Sequence, residues 1–174
     1  MIIILEGVDN SGKSTLATRL AMHLDYVIIP TEGPPKYEGE MDERLERYRV
    51  RYATNVIFDR HPVISQSLYG RMRGTGDQFD DKWRKLLKAA RPLYIYCDPQ
   101  GRGLVGHVVN KVDSQAHLKQ LYDNYFQLLG YYREWAIANA HIIYRIGDSI
   151  NDICNFAEVY CKHIRSRLGH GRIP

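Results

Sequence analysis

One short segment near the start of the chain constrains the fold more than any other feature. Residues 7–14 read Gly-Val-Asp-Asn-Ser-Gly-Lys-Ser, which fits the pattern GxxxxGK followed by serine or threonine in full. Before it, Ile2–Leu5 is an apolar run with three β-branched residues, which favours a strand buried on both faces. After it, residues 14–24 carry leucine at every fourth position, as an amphipathic helix does. A strand, a glycine-rich turn and a helix in this order predict a parallel α/β sheet.

The same turn predicts a phosphate-binding loop, or P-loop. Its glycines let backbone N–H groups turn inward, Lys13 supplies a cation for the β- and γ-phosphates, and the Ser14 hydroxyl can reach Mg²⁺. We therefore expect the loop to bind ATP or GTP with Mg²⁺, and we take ATP as the nucleotide. An ordinary glycine-rich turn that binds no ligand is the weaker alternative, because a predicted strand precedes the motif and a predicted helix follows it. Thr15 suits helix packing or capping better than a second metal contact. The predicted nucleotide-binding residues are Asp9, Asn10, Ser11, Gly12, Lys13, Ser14 and Thr15.

Further apolar runs and helical patterns alternate along the rest of the chain. Strands are predicted at residues 26–29, 56–58, 93–97 and 142–146, and helices at 40–53, 78–90, 114–138 and from about 151. This alternation predicts a P-loop NTPase fold, a three-layer αβα sandwich around a five-stranded parallel sheet, in one domain over residues 1–174. Residues 100–113 read as a glycine-rich lid, and residues 162–172 as a basic tail.

Composition narrows the class of partner. The chain has 24 Lys and Arg against 20 Asp and Glu, a net charge of +4 that permits an anionic substrate without requiring one. No apolar run approaches the length of about 20 residues that spans a bilayer, so no membrane partner is expected. The three cysteines lack metal-binding spacing and fit a reducing compartment, which predicts a cytoplasmic location.

Three segments carry a resemblance to thymidylate kinases. Residues 5–15, Leu-Glu-Gly-Val-Asp-Asn-Ser-Gly-Lys-Ser-Thr, resemble the family's F-E-G-x-D-x-x-G-K-S-T opening. Asp59-Arg60-His61, followed by Ser65 and Tyr69, resembles its D-R-Y-x-x-S…A-Y motif, and Asp98-Pro99 lies where the family has D-x-D-P. Small phage-encoded kinases share the Glu-Gly-Pro-Pro segment, which would place the protein in the host cytoplasm.

The resemblance implies roles for single residues. Asp9 matches the carboxylate that faces the acceptor's sugar, and Tyr69 matches a tyrosine near the deoxyribose. Arg60 matches an arginine that contacts the acceptor's phosphate or the transferring phosphoryl group. Asp59 stands where a carboxylate holds Mg²⁺ through water or positions the acceptor.

The chain also departs from the family pattern. Where the family has T-R-E-P, this chain has Thr-Glu-Gly-Pro, so no arginine follows Thr31. Asn10 stands at a P-loop position where some members have a catalytic arginine, and the lid segment offers only Arg102 and Lys111. Glu32 falls where the similar deoxynucleoside kinases carry a general-base glutamate, which favours a hydroxyl acceptor over a phosphate acceptor. A plain surface acid is the alternative for Glu32.

The charged helix at 40–53 holds the candidate acceptor contacts, which are Arg44, Arg47 and Arg51 with Tyr48 and Tyr52. Tyr48 could stack on a base while an arginine reads its edge. A half-buried amphipathic helix with solvated charges is an equally good interpretation.

The leading hypothesis is an ATP- and Mg²⁺-dependent kinase that acts on a deoxynucleotide or deoxynucleoside. Lys13, Glu32, Asp59 and Arg60 are its predicted catalytic residues, Ser14 and Asp59 its metal contacts, and a homodimer is compatible with it. The alternative is a phage DNA-modification kinase that phosphorylates the hydroxymethyl group of 5-hydroxymethyluracil in DNA, with basic segments following the phosphates. A third hypothesis is a slow nucleotide switch, since residues 110–113 fit the N-K-x-D guanine motif; no D-x-x-G motif accompanies it.

Overall fold

A parallel sheet forms the middle of the molecule. The computed structural model describes residues 1–76, 79–100 and 115–168, with side chains over 124–167 of the last range. Its strands within those residues are β1 (Ile2–Glu6), β2 (Val27–Ile29), β3 (Val56–Asp59), β4 (Leu93–Asp98) and β5 (Ile142–Arg145). They form one sheet in the order β2-β3-β1-β4-β5, and every neighbouring pair is parallel. The five-stranded parallel sheet is confirmed.

Helices connect the strands and cover the sheet. Within the described residues they are α1 (Lys13–Leu24), α2 (Glu40–Arg51), α3 (Pro62–Arg73), α4 (Asp81–Ala89), α5 (Gln115–Asn139) and α6 (Ile150–Leu168). No helix in this part of the chain is long and apolar enough to cross a membrane.

Helix α3 is the element that the sequence pattern missed. It begins at Pro62, a residue favoured in the first helical position, and is capped by His61, whose Nδ1 accepts the N–H of Val63 at 3.3 Å. Serine and glycine residues interrupt its apolar positions, so no clear 3.6-residue period was visible. The helix matters because it begins directly after the Asp-Arg-His segment and holds that segment against the sheet.

The alternation of side chains along β1 divides the core into two faces. Ile3 and Leu5 pack with Leu16 and Leu20 of α1 and with residues of α6. Ile2 and Ile4 point the other way, into clusters built with α2, α3 and α4, and α5 extends this layer. Helices on both faces of one sheet confirm the three-layer sandwich.

Residues 162–172 are predicted to be a basic tail, but the part of this segment that the structure describes is helical. Residues 162–168 belong to α6 because that helix continues to Leu168. Arg165 donates to the Tyr26 hydroxyl and to Asn55 Oδ1, each at 2.9 Å, and both partners precede strands. This end of α6 therefore lies at the edge of the sheet where strands begin, opposite the edge where the glycine-rich loop follows β1.

The buried cap of α3 makes stability depend on pH. Burial lowers the pKa of His61 from 6.5 to about 3, so the folded state keeps the ring neutral while the unfolded chain takes up a proton below 6.5. We expect His61 to cost about 2 kcal/mol of unfolding free energy as pH falls from 7 to 5. His61→Asn keeps a capping oxygen without titrating in this range.

Urea unfolding of both proteins at pH 7 and pH 5 checks this expectation. The wild type should lose more stability than the variant over that interval. An equal loss in the two proteins would contradict the role of the cap.

Candidate functional site: a phosphate loop beside an acidic and basic recess

The loop between β1 and α1 needs glycine for two physical reasons. Gly7 has φ +147°, and a Cβ there would overlap the carbonyl oxygen of Cys97 on β4. Gly12 has φ +82°, and a Cβ there would lie 3.1 Å from the ring of Tyr144. Asn10 is left-handed as well, with φ +58°. Such turns direct successive backbone N–H groups into one concavity. These N–H groups can bind an anion without help from a side chain.

Lys13 lies inside this concavity and is almost fully buried. Its Nζ donates to the carbonyl oxygen of Val8 at 2.6 Å and to Ser11 Oγ at 3.1 Å. Burial, with repulsion from Arg60, lowers the pKa of Lys13 from 10.5 to about 8. A bound polyphosphate would supply the negative charge that favours the ammonium form.

Ser14 and Asp59 form the candidate metal contact. Ser14 Oγ, in the first turn of α1, donates to Asp59 Oδ2 at 2.9 Å across the ends of β1 and β3. A hydroxyl and a carboxylate are hard oxygen ligands of the kind that suit Mg²⁺, which in nucleotide sites takes its other ligands from phosphates and water. The described residues contain no cluster of three or more His, Cys, Asp or Glu that would hold a metal alone. The donor set therefore fits a magnesium–nucleotide complex.

Arg60 reaches the loop from the end of β3. Its guanidinium donates to the Gly7 carbonyl oxygen at 3.2 and 3.3 Å and forms an ion pair with Asp9. The Arg60 side chain is 14% exposed and borders the cleft that the loop lines. Tyr69 of α3 lies close to this pair, and its pKa is raised chiefly by burial.

Two cavities meet at Thr31 and Arg60. The larger, of about 630 Å³, is the nucleotide cleft, and the smaller, of about 10 Å³ on the same measure, is called here the acceptor recess. The nucleotide cleft is lined by Asp9, Asn10, Ser11, Gly12, Lys13, Ser14, Thr15, Thr31, Asp59, Arg60 and Ile146. The acceptor recess is lined by Thr31, Glu32, Gly33, Arg44, Tyr48, Arg60, Pro62, Ser65 and Gln66. All seven predicted nucleotide-binding residues thus border one cleft.

Glu32 is held at the recess by groups from α2. Its Oε1 accepts the Tyr48 hydroxyl at 2.7 Å and its Oε2 accepts Arg47 at 3.0 Å. These contacts fix the carboxylate while leaving its side chain 38% exposed. Tyr48 is itself buried beside Phe58, so it orients Glu32 instead of offering an open stacking face.

Arg44 is the recess residue whose burial the sequence does not indicate. It is 2% exposed, donates to the Gly33 carbonyl oxygen at 2.7 Å and to Glu40 at 2.5 Å, and lies 3.5 Å from Glu32. The sequence shows that Glu40 lies four residues before Arg44, which predicts that the two side chains pair. It does not show that Arg44 is buried. Arg51, which was selected, is exposed at the end of α2 and lines neither cavity. The lid candidates Arg102 and Lys111, with residues 110–113, lie outside the described residues.

No family model and no curated protein sequence matches the chain. Solved structures do resemble it. YorR protein from Bacillus subtilis, in complex with phosphorylated GDP, is 21% identical with a TM-score of 0.66, over 99% of this chain and 100% of that one. Deoxyadenosine kinase from M. mycoides, with products dCMP and a flexible dCDP bound, is 14% identical with a TM-score of 0.55, over 94% and 100%.

Shikimate kinase from Aquifex aeolicus is also similar, at 16% identity and a TM-score of 0.53, over 93% of this chain and 96% of that one. At these identities the likeness establishes the fold. The chain has the P-loop NTPase fold, in the form that kinases of small metabolites and nucleosides also have.

The close approach of the loop to β4 gives a direct test of the cradle. Gly7→Ala places a methyl group against the Cys97 carbonyl oxygen at a backbone angle that suits glycine, so we expect a loss of about 1–3 kcal/mol of stability. Protection from thermal unfolding by ATP and Mg²⁺ should weaken as well, because the loop amides must shift.

Gly130→Ala is the matched control, since a Cβ at this helical glycine of α5 meets no atom within 4 Å. It should gain about 0.5–1 kcal/mol and keep the nucleotide protection. Equal behaviour of the two variants would refute the close approach.

Proposed function

We propose that the chain is a thymidylate-kinase-like enzyme that transfers the γ-phosphoryl group of ATP, with Mg²⁺, to a deoxynucleoside or deoxynucleotide. The observation that carries the proposal is the contact between the two cavities. Arg60 and Thr31 line the nucleotide cleft and also the recess that holds Glu32. A donor phosphate on the loop and an acceptor whose reacting oxygen lies beside the recess would therefore face each other across Arg60.

The donor side acts mainly by positioning and charge. Lys13 and the loop amides would hold the β- and γ-phosphates, and Ser14 with Asp59 would hold Mg²⁺. When bound, Mg²⁺ would offset the negative charge of the phosphates. Arg60, fixed on the Gly7 carbonyl oxygen, would stabilise the negative charge on the transferring group.

The acceptor side supplies a base and a sugar contact. In the transfer, the acceptor oxygen bonds to the γ-phosphorus while the bond from that phosphorus to the β,γ-bridging oxygen breaks and ADP leaves. A hydroxyl acceptor gives its proton to Glu32, whose carboxylate oxygens have lone pairs beyond those used by Tyr48 and Arg47. Asp9 and Tyr69 are proposed to contact the deoxyribose.

An acceptor screen tests the proposal. Radiolabelled ATP and Mg²⁺ are incubated with thymidine and the other deoxynucleosides, with their monophosphates, and with duplex DNA containing 5-hydroxymethyluracil. Label on a free nucleoside or nucleotide supports the proposal. Label on the duplex alone would overturn it in favour of DNA modification.

The DNA hypothesis drew on the missing arginine after Thr31, on Glu32 and on the positive charge of residues 82–91 and 162–172, and the placement of two arginines of these segments does not favour it. Arg165 lies at the sheet edge opposite the loop, and Arg91 lies two residues before β4, at that same edge. Positive charge at these two residues would not guide a duplex to Glu32. The free-acceptor proposal is therefore the better supported one.

A substitution at Glu32 separates the two acceptor chemistries. Glu32→Gln keeps the shape and the acceptor oxygen but removes the base, so transfer to a deoxynucleoside should fall by about 100-fold or more in kcat. Transfer to a monophosphate should change far less, because that acceptor oxygen carries no proton that must leave.

Glu46→Gln is the control, because this glutamate is exposed on the same helix and pairs only locally with Arg49. Its steady-state kinetics should match the wild type. An unchanged kcat for a deoxynucleoside in Glu32→Gln would exclude the base role.

A further inference from the structure

Glu6 is an ionisable side chain in the centre of the core. It ends β1, whose other four residues are aliphatic, and it is 0% exposed. Strand alternation places it with Ile2 and Ile4 on the face that α3 and α5 cover. A fully buried carboxyl is costly, so its partners show what it does.

The partners of Glu6 surround Arg60. Glu6 Oε1 accepts the backbone N–H of His61 at 2.7 Å, and the Leu5 carbonyl oxygen accepts the backbone N–H of Arg60 at 3.0 Å. Arg60 itself has φ +67°, a left-handed conformation that a non-glycine residue adopts only when its surroundings impose it. Leu5 and Glu6, two successive residues of β1, thus hold the peptide N–H groups before and after the Arg60 Cα, where the left-handed turn occurs.

The same strand end also holds the Arg60 side chain. Its guanidinium donates to the carbonyl oxygen of Gly7, the residue that follows Glu6. A carboxylate at Glu6 attracts that guanidinium, and the attraction partly offsets the burial of the carboxyl. The hydrogen bonds to the backbone of β1 and the charge of Glu6 therefore both act on Arg60.

The surroundings leave Glu6 close to the point of ionisation. Burial raises the pKa of Glu6 to about 7, opposed by the His61 N–H, by the charges of Arg60 and Lys13, and by the Tyr132 hydroxyl. Its Oε2 makes no well-formed hydrogen bond within the described residues. The other titratable groups that sense Glu6 are Tyr69 of α3 and Tyr94 and Cys97 of β4.

We propose that Glu6 is a positioning residue that fixes Arg60 for phosphoryl transfer through its negative charge and its hydrogen bond to the following peptide. The inference rests on the proposed function, because Arg60 is there the cation that faces the transferring group. It also implies that Glu6 does not serve stability, since a neutral residue of the same shape would cost less to bury.

Glu6→Gln tests the proposal, because its amide oxygen still accepts the His61 N–H while the charge is removed. At pH 8 we expect kcat to fall by about tenfold, because Arg60 is held less precisely. The midpoint of thermal unfolding at pH 8 should equal or exceed that of the wild type. Exposed Glu134 of α5 provides the matched control Glu134→Gln, which should leave kcat unchanged.

The pH dependence gives a second comparison. Since the folded pKa of Glu6 lies above the usual 4.5, the unfolded chain loses its proton first as pH rises, and stability from this group falls between about 4.5 and 7. The stability of the variant relative to the wild type should therefore rise over this interval, and the deficit in kcat should shrink at pH 6.

A spectroscopic readout keeps the test independent of turnover. The Nε–H resonance of Arg60, assigned with Arg60→Lys, should be protected from exchange at pH 8 in the wild type and lost in Glu6→Gln. Wild-type kcat with this signal retained, or a lower unfolding midpoint at pH 8, would overturn the proposal. Absence of transfer by the wild type would instead overturn the proposed function, and the resonance would still decide the role of Glu6.

Discussion

The parallel pairing of β1 with β3 is the constraint on which the whole site depends. Its register sets Leu5 opposite Asp59, so the glycine-rich loop and the Asp-Arg segment leave the sheet side by side. From this one alignment follow the contact of Ser14 with Asp59 and the reach of Arg60 to the loop. A shift of one residue would turn these side chains to the other face of the sheet.

A second property of the site is that its charges are buried before any ligand arrives. Burial moves the pKa of Lys13 down to about 8 and that of Glu6 up to about 7, so each group is drawn toward its neutral form. With a pKa of about 8, Lys13 stays mostly protonated at pH 7, and the phosphates of a nucleotide would favour its ammonium form further. A bound nucleotide would in turn stabilise the fold.

The sequence predicted the sheet and the loop, because apolar runs alternate with helical patterns and a strict motif follows the first strand. The expectation that Asp59 lies beside the loop came from the resemblance to thymidylate kinases. The sequence did not predict α3, whose apolar period is broken, nor the burial of Arg44. Arg44, unlike Arg51, has an acidic residue four positions before it, which indicates a paired arginine but not a buried one. The packing of α2 against the loop between β2 and α2 decides which of the two arginines faces the recess. That packing is a tertiary contact, which the local sequence does not reveal.

The central claim is that the loop holds a nucleoside triphosphate and that Ser14 with Asp59 holds its metal. A crystal structure of the chain with Mg²⁺ and the β,γ-imido analogue of ATP tests it most directly. The account predicts the β- and γ-phosphates on the loop amides and Lys13, with the metal on Ser14 Oγ and with Asp59 bound directly or through one water. A nucleotide seated elsewhere, or a metal with no link to either residue, would contradict it.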